Sequence, residues 1–374
     1  MEPFKEFINQ KVVETLGDIF LRVYPDFDRP TFINIALDGL DKLELKQRVS
    51  QVTGALAETL PDDFEALCTI LVAALHPSED TAREEIEFSE EGACGWAVWP
   101  LTELVALRGL GHPELALPAL YEMTKRSTSE FDVRPFLDQH TDRSLAVFQE
   151  WTQDPNRHVR RLASEGSRPR LPWGMRLQKF VEAPDLILPI LDALKDDPEE
   201  YVRRSVANNL NDIAKDHPEL VADIAADWLK GASKDRQRLV KHACRTLIKQ
   251  GHQKTLSSFG YQPVEPNDVK LSVRTPTVNY GGALEFDLSL GGLPNGTGLM
   301  IDYAIHFVKA NGKKSPKVFK WKDLKSHSGG ALEDSRTHAI KPITTRVYYP
   351  GEHLIEIIVN GRSVAQAEFT LNMP

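Results

Sequence analysis

The sequence of 374 residues predicts two architectures in series, a solenoid of paired α-helices followed by an antiparallel β-sandwich. Three observations carry that expectation. Up to about residue 257 apolar side chains recur every three or four positions, and beyond about 267 they alternate. Within the helical region a short motif also returns at a near-constant interval. The expected division is 1–262 for the helical domain and 267–374 for the sandwich.

In "LKQRVSQVTGALAETL" the residues Leu45, Val49, Val52, Leu56 and Leu60 share one helical face, and Pro61 is expected to open the next helix, "PDDFEALCTILVAALH". "HPELALPALYEM" and "APDLILPILDALKDD" continue the pattern of short helices with proline at the joints. The repeat is clearest in "QDPNRHVRRLASEG" and "DDPEEYVRRSVANN", which place Val-Arg-Arg at 159–161 and 202–204, an offset of 43. A degenerate third copy, "SKDRQRLVKHACRTLIKQG", puts Val240 at 38 residues after Val202. An interval near 40 with Asp-Pro ahead of a Val-Arg helix is the signature of HEAT-type repeats, whose stacked pairs leave one concave face. Glu165 and Asn208 are equivalent under the offset of 43, so both are expected to project from corresponding places.

"SSFGYQPVEPND" then breaks the helical period. "VKLSVRTPTV", "ALEFDLSL", "LMIDYAIHFV", "KVFKWKDL", "THAIKPI", "HLIEIIVNG" and "SVAQAEFTLN" read as strands separated by turns such as "ANGKK" and "NGRS". This spacing fits an immunoglobulin-like sandwich without the inter-sheet disulfide, because the segment holds no cysteine. Tyr349, just ahead of a strand, resembles the tyrosine corner of such folds.

Composition narrows the functional classes. A chain 41% apolar and 26% charged is that of a soluble globular protein, and no apolar run reaches the roughly 18 residues of a membrane span. "MEPFKEFINQ" lacks the basic and apolar regions of a signal peptide, so a cytoplasmic monomer is expected. Cys68, Cys94 and Cys244 are scattered, which indicates neither a disulfide framework nor a zinc site. GxxxxGK[ST], HExxH and GxSxG are all missing, and no metal or cofactor is expected. The net charge of −9 argues against a nucleic-acid partner only as an average. Residues 267–374 hold 13 Lys and Arg against 10 Asp and Glu, leaving 32 against 44 in 1–266. One basic cluster gathers Arg157, Arg160, Arg161, Arg168, Arg170 and Arg176, while seven lysines face a single acid, Asp323, between 309 and 325.

Carboxylates and one tryptophan stand among these basic residues. Glu165 follows Arg161 on the repeat helix, Trp173 ends a loop of prolines and arginines, Asp212 comes at the end of the next repeat helix, and Glu130 begins the pair before. Singly, each acid reads as a surface residue or a cap, and Trp173 as packing. Together they offer three successive repeats with an acid near the concave edge.

"EFDVRPFL", "HVRRLASEGSRPRLPWG" and "VRRSVANNLNDIAKDHPELV" resemble, in order, the AlkC branch of the HEAT-like-repeat DNA glycosylases, relatives of AlkD that remove cationic alkylated bases. The sandwich resembles the C-terminal module of some AlkC members. The resemblance implies a DNA-repair enzyme that holds duplex DNA containing alkylated bases in its concave cleft and works without a deep base-binding pocket. It implies that Glu165 and Asp212 are the acids of the site, with Glu130 a further candidate, Trp173 the aromatic and Arg161 the phosphate-side cation. By charge and position, Arg134, Arg168, Arg170 and the hairpin lysines Lys313, Lys314 and Lys317 extend the expected phosphate contacts. The expected activity is hydrolysis of the N-glycosidic bond of N3-alkylated bases such as N3-methyladenine and N3-methylcytosine, leaving an abasic site. The water falls to either Glu165 or Asp212. The alternatives are a non-catalytic binder of branched or distorted DNA and a protein-interaction scaffold.

Overall fold

The computed structural model describes residues 4–79, 88–344 and 346–374. Among them, sixteen α-helices and four short 3-10 turns precede eight strands. The Asp-Pro and Val-Arg elements of the repeat are joined physically. From Nη1, Arg160 donates to the carbonyls of Asp154 and Pro155, at 2.9 Å each, and so closes its own turn. Its Nε reaches the Asp197 carboxylate of the next repeat at 2.6 Å. Arg203 does the same one repeat on, bonding the carbonyls of Asp197 and Pro198 at 2.6 and 2.8 Å and approaching Asp235 at 3.4 Å. Arg160, counted with the basic cluster in the sequence, is therefore a rung between repeats.

The helices Arg157–Gly166, Glu200–Ile213 and Lys234–Ala243, the three copies seen in the sequence, pack side by side. Their common stripe, including Val159, Leu162, Val202, Val206 and Val240, is buried. Pro61 does not open its helix. The helix runs Phe64–Ala73, because Asp63 accepts the Ala66 amide at 2.8 Å and is the better cap.

The chain divides into two compact units, 1–216 with 234–243, and 217–233 with 244–374. The sandwich itself starts at Asp268, but helices from before the linker belong to its unit. One reason lies at Gly251 and Gly361, where a Cβ on Gly251 would come within 2.7 Å of the Gly361 backbone. Nearby, Asn360 is fully buried and bonds the Gln262 and Gly298 carbonyls and the Met300 amide.

The strands are β1 (Asp268–Val273), β2 (Thr277–Asn279), β3 (Ala283–Leu293), β4 (Leu299–Val308), β5 (Lys314–Leu324), β6 (Gly330–Ala339), β7 (Gly351–Val359) and β8 (Arg362–Asn372). They form two sheets, ordered β1-β3-β6 and β2-β8-β7-β4-β5. Alternate residues such as Phe286, Leu288, Tyr303, Ile305, Ile355 and Ile357 fill the core between them. Three details differ from the sequence reading. β2 pairs with β8 in parallel, so the sandwich is not wholly antiparallel. β6 ends at Ala339, before most of "IKPI". The tyrosine buried ahead of β7 is Tyr348, edge-on to Phe307 at 5.5 Å, rather than Tyr349. No helix among the described residues is long and apolar enough to cross a membrane.

Candidate active site

The Arg157–Gly166 helix starts where the Asn156 side chain accepts the His158 amide at 2.8 Å. Its spacing sets Arg161 and Glu165 on one face, with Arg168 a turn beyond. Five side chains then alternate in sign. Arg161 Nη1 donates to Glu130 at 2.7 Å, and its Nη2 lies 3.6 Å from Glu165. Glu165 in turn accepts from Arg168 at 2.7 Å, and Arg168 Nε donates to Asp212 at 2.8 Å. Lys215 closes the series on the other Asp212 oxygen at 2.9 Å. Ser205, from the neighbouring repeat, donates to the second oxygen of Glu165 at 2.6 Å.

These are buried charges, which survive burial only when paired. Desolvation pushes the Glu165 carboxyl up, but Arg161, Arg168 and the Ser205 hydroxyl outweigh it and hold it below the usual glutamate range. Glu165 is thus ionised at neutral pH. Desolvation works against Arg161 and Arg168 too, and their acidic neighbours leave both raised.

The loop after this helix is built to present Trp173. Arg134 donates to the Gly166 carbonyl at 2.7 Å and from Nε to the Met175 carbonyl at 2.8 Å, holding both ends of the loop. Lys46 donates to the Trp173 carbonyl at 2.6 Å. Trp173 takes φ +66°, a left-handed conformation uncommon outside glycine, and its ring stays 62% exposed. Such a conformation costs about 1–3 kcal/mol and persists only where surrounding contacts fix it, as those of Arg134 and Lys46 do here. Gly174 follows because a Cβ there would sit 3.2 Å from Leu171 and 3.3 Å from Arg134.

Trp173, Glu130 and Arg161 meet in a cleft of about 490 Å³ that Trp96, Trp99 and Phe131 also line, with Ser127 and Thr128 among its polar groups. Trp99 stacks on Phe131 with centroids 5.2 Å apart. The expected acids are therefore in two layers. Glu130 lines the cleft, while Glu165 and Asp212, 5% and 2% exposed, lie beneath it behind Arg161 and Arg168.

Two expected phosphate contacts do not fit this geometry. Arg134 has no exposed surface and serves carbonyls, and burial beside Arg168 brings its pKa down to about 10. Arg168 is buried between Glu165 and Asp212. Both are internal because a buried carbonyl or carboxylate needs a donor more than a surface needs charge. Arg170 lies nearer the surface, paired with Asp216 at 2.7 Å. Asn208 meets His242 on the next repeat helix at 3.1 Å, as Glu165 meets Ser205 on its own next helix, so the two project from corresponding places.

In the second unit, Lys313 is exposed in the β4–β5 turn, Lys314 pairs with Glu352 at 3.4 Å, and Lys317 stands 5.9 Å over Phe319. Trp96, Trp99, Phe131 and Lys46 were not singled out in the sequence. The signal was the spacing in "GWAVWP", which sets two indoles three residues apart.

Residues 128–247 match a family model described as a DNA alkylation repair enzyme, a span that holds every member of the ion chain and Trp173. Residues 267–373 match the C-terminal Ig-like domain of the uncharacterised protein YhaZ. The chain is 37% identical over 371 residues to the uncharacterized protein YhaZ of Bacillus subtilis (strain 168), covering 99% of each. It also superposes with TM-score 0.83 on the Pseudomonas fluorescens alkylpurine DNA glycosylase AlkC bound to DNA containing an abasic site analog. That match has 36% identity and covers 99% of this chain and 100% of the other.

Proposed function

The chain belongs to the AlkC branch of the HEAT-like-repeat alkylbase DNA glycosylases, and we propose that it hydrolyses the N-glycosidic bond of cationic N3-alkylated bases in duplex DNA. The product is an abasic site, and the open cleft works on the nucleotide without a deep pocket for the base. What carries this reading is a network of carboxylates and arginines ending, through Glu130, in a cleft that Trp173 also lines.

The chemistry suits those groups. An N3-methylated base is already positive, so the C1′–N bond breaks with its electron pair leaving on the base and no strong general acid is required. The sugar left behind has oxocarbenium character. Glu130, at the cleft wall, faces that charge and takes the proton of the water that attacks C1′. Glu165 and Asp212 act from beneath, keeping Arg161 and Arg168 paired so that neither cation repels the developing positive charge. One carboxylate at about 4 Å is worth about 4 kcal/mol at an effective dielectric of 20, near three decades of rate. The aromatic wall adds about 0.5–2 kcal/mol for a cation and nothing comparable for a neutral base. Selection is then by charge more than by base identity.

The test is release of methylated bases from alkylated duplex DNA by the wild type and by Glu130→Gln. The expected result is release by the wild type, at least a hundredfold slower release by the variant, and similar binding of abasic DNA by both. Binding without release in the wild type would favour the non-catalytic reading, and equal rates would remove Glu130 from the water's path.

A further inference from the structure

Trp173 lines two hollows. One is the acidic cleft. The other, about 670 Å³, is lined by Phe4, Lys5, Glu44, Leu45, Lys46 and again Trp173. Phe4 is 57% exposed, and behind it Phe7 stacks on Trp96 at 4.9 Å with planes 8° apart, so aromatic rings run from this hollow to the wall of the first. Lys5 pairs loosely with exposed Glu44 at 3.4 Å, and Lys46 holds the Trp173 carbonyl.

Bare aromatic rings grouped this way on one surface call for a ligand. Intact duplex DNA cannot supply one, because each base already has a neighbour on both faces. An unstacked base can, since every base has a π-face that stacks on aromatic side chains, and lysines at the rim match its phosphate. We propose that this second hollow holds one nucleotide, next to the reacting one, whose base has left the stack: the base lies on the indole of Trp173 with Phe4 opposite, and its phosphate sits at Lys5 and Lys46. The proposal rests on the glycosylase reading for which nucleotide reacts. Trp173 lines both hollows, and its loop is held at Gly166 and Met175 by Arg134.

The experiment is equilibrium binding to two duplexes carrying an abasic analogue. In one, the neighbouring nucleotide is paired, and in the other the nucleotide opposite it is omitted so that it is unpaired. The full-length wild type is expected to bind the unpaired probe about tenfold more tightly. Phe4→Ala should abolish that ratio and Phe4→Trp should keep it. A wild-type ratio near one, a ratio that survives Phe4→Ala, or an equal loss on both probes each overturns the proposal. Neither probe contains a base to be released, so a failure of the glycosylase reading shows separately, as no methylated base released from alkylated duplex.

Discussion

Two charged regions stand out in this chain, and they have opposite construction. In the helical unit, Glu130, Arg161, Glu165, Arg168 and Asp212 are held side by side by hydrogen bonds and ion pairs and are largely withdrawn from water. In the sandwich, Lys313, Lys314 and Lys317 are exposed at and beside an edge strand, and the acids near Lys314, Glu352 and Glu368, are themselves exposed. Buried pairs are screened little by salt and fail badly when one member is lost, whereas exposed charges are individually weak, additive and salt-sensitive. The same residue types are therefore suited to different work: a fixed field in one place, contact with a polyanion in the other.

The sharpest break of this comparison is Glu165→Gln. It leaves Arg161 and Arg168 short of a buried acid, so it should cost about 3–5 kcal/mol of stability in denaturant unfolding and slow base release by less than Glu130→Gln does, while affinity for abasic DNA persists, measured by product release and by binding isotherms. An equal loss of binding would place Glu165 with the surface charges. Next in size is Arg134→Ala, which leaves the Gly166 and Met175 carbonyls without their donor. It should cost about 3–5 kcal/mol of stability, read from denaturant unfolding, though Arg134 has no exposed surface.

Asp132 tests burial without a partner. It is buried with one carboxylate oxygen unbonded, and desolvation, aided by Glu103 and Glu130 against Thr102, raises its pKa from 3.8 to about 7. The folded state thus holds this proton between about pH 4 and 7 while the unfolded chain has released it, so stability falls as pH rises through that window. Asp132→Asn should flatten the fall, seen as melting temperatures that vary less from pH 4 to 7. The smallest effect belongs to the sandwich. Replacing Lys313, Lys314 and Lys317 together with Ala should weaken DNA binding several-fold and reduce the salt slope by at most about 3, leaving turnover on saturating DNA unchanged.

The sequence displayed the repeat well because its period is enforced by burial. Val159, Val202 and Val240 mark a stripe that any stacked array must keep apolar. It also displayed Glu130, Arg161, Glu165 and Asp212, which the fold then links into one chain of ion pairs. What it could not display was direction. Counting charge treats Arg134, Arg160, Arg161 and Arg168 alike, yet one closes a loop, one joins repeats, and two alternate with buried acids. Those fates depend on which carbonyl or carboxylate lies across a tertiary contact, as with Arg168 and Asp212, 44 residues apart. The aromatic wall was hidden for the same reason, because Trp99 and Phe131 meet only when the chain folds.

The backbone of Trp173 sets selection against itself. Glycine would relax the left-handed turn, so Trp173→Gly should fold at least as stably, and the loop would remain fastened at Gly166 and Met175. A lineage optimised only for endurance would drift toward that residue. What the ring contributes is therefore read directly from that variant, as base release lost at an unchanged or higher melting temperature.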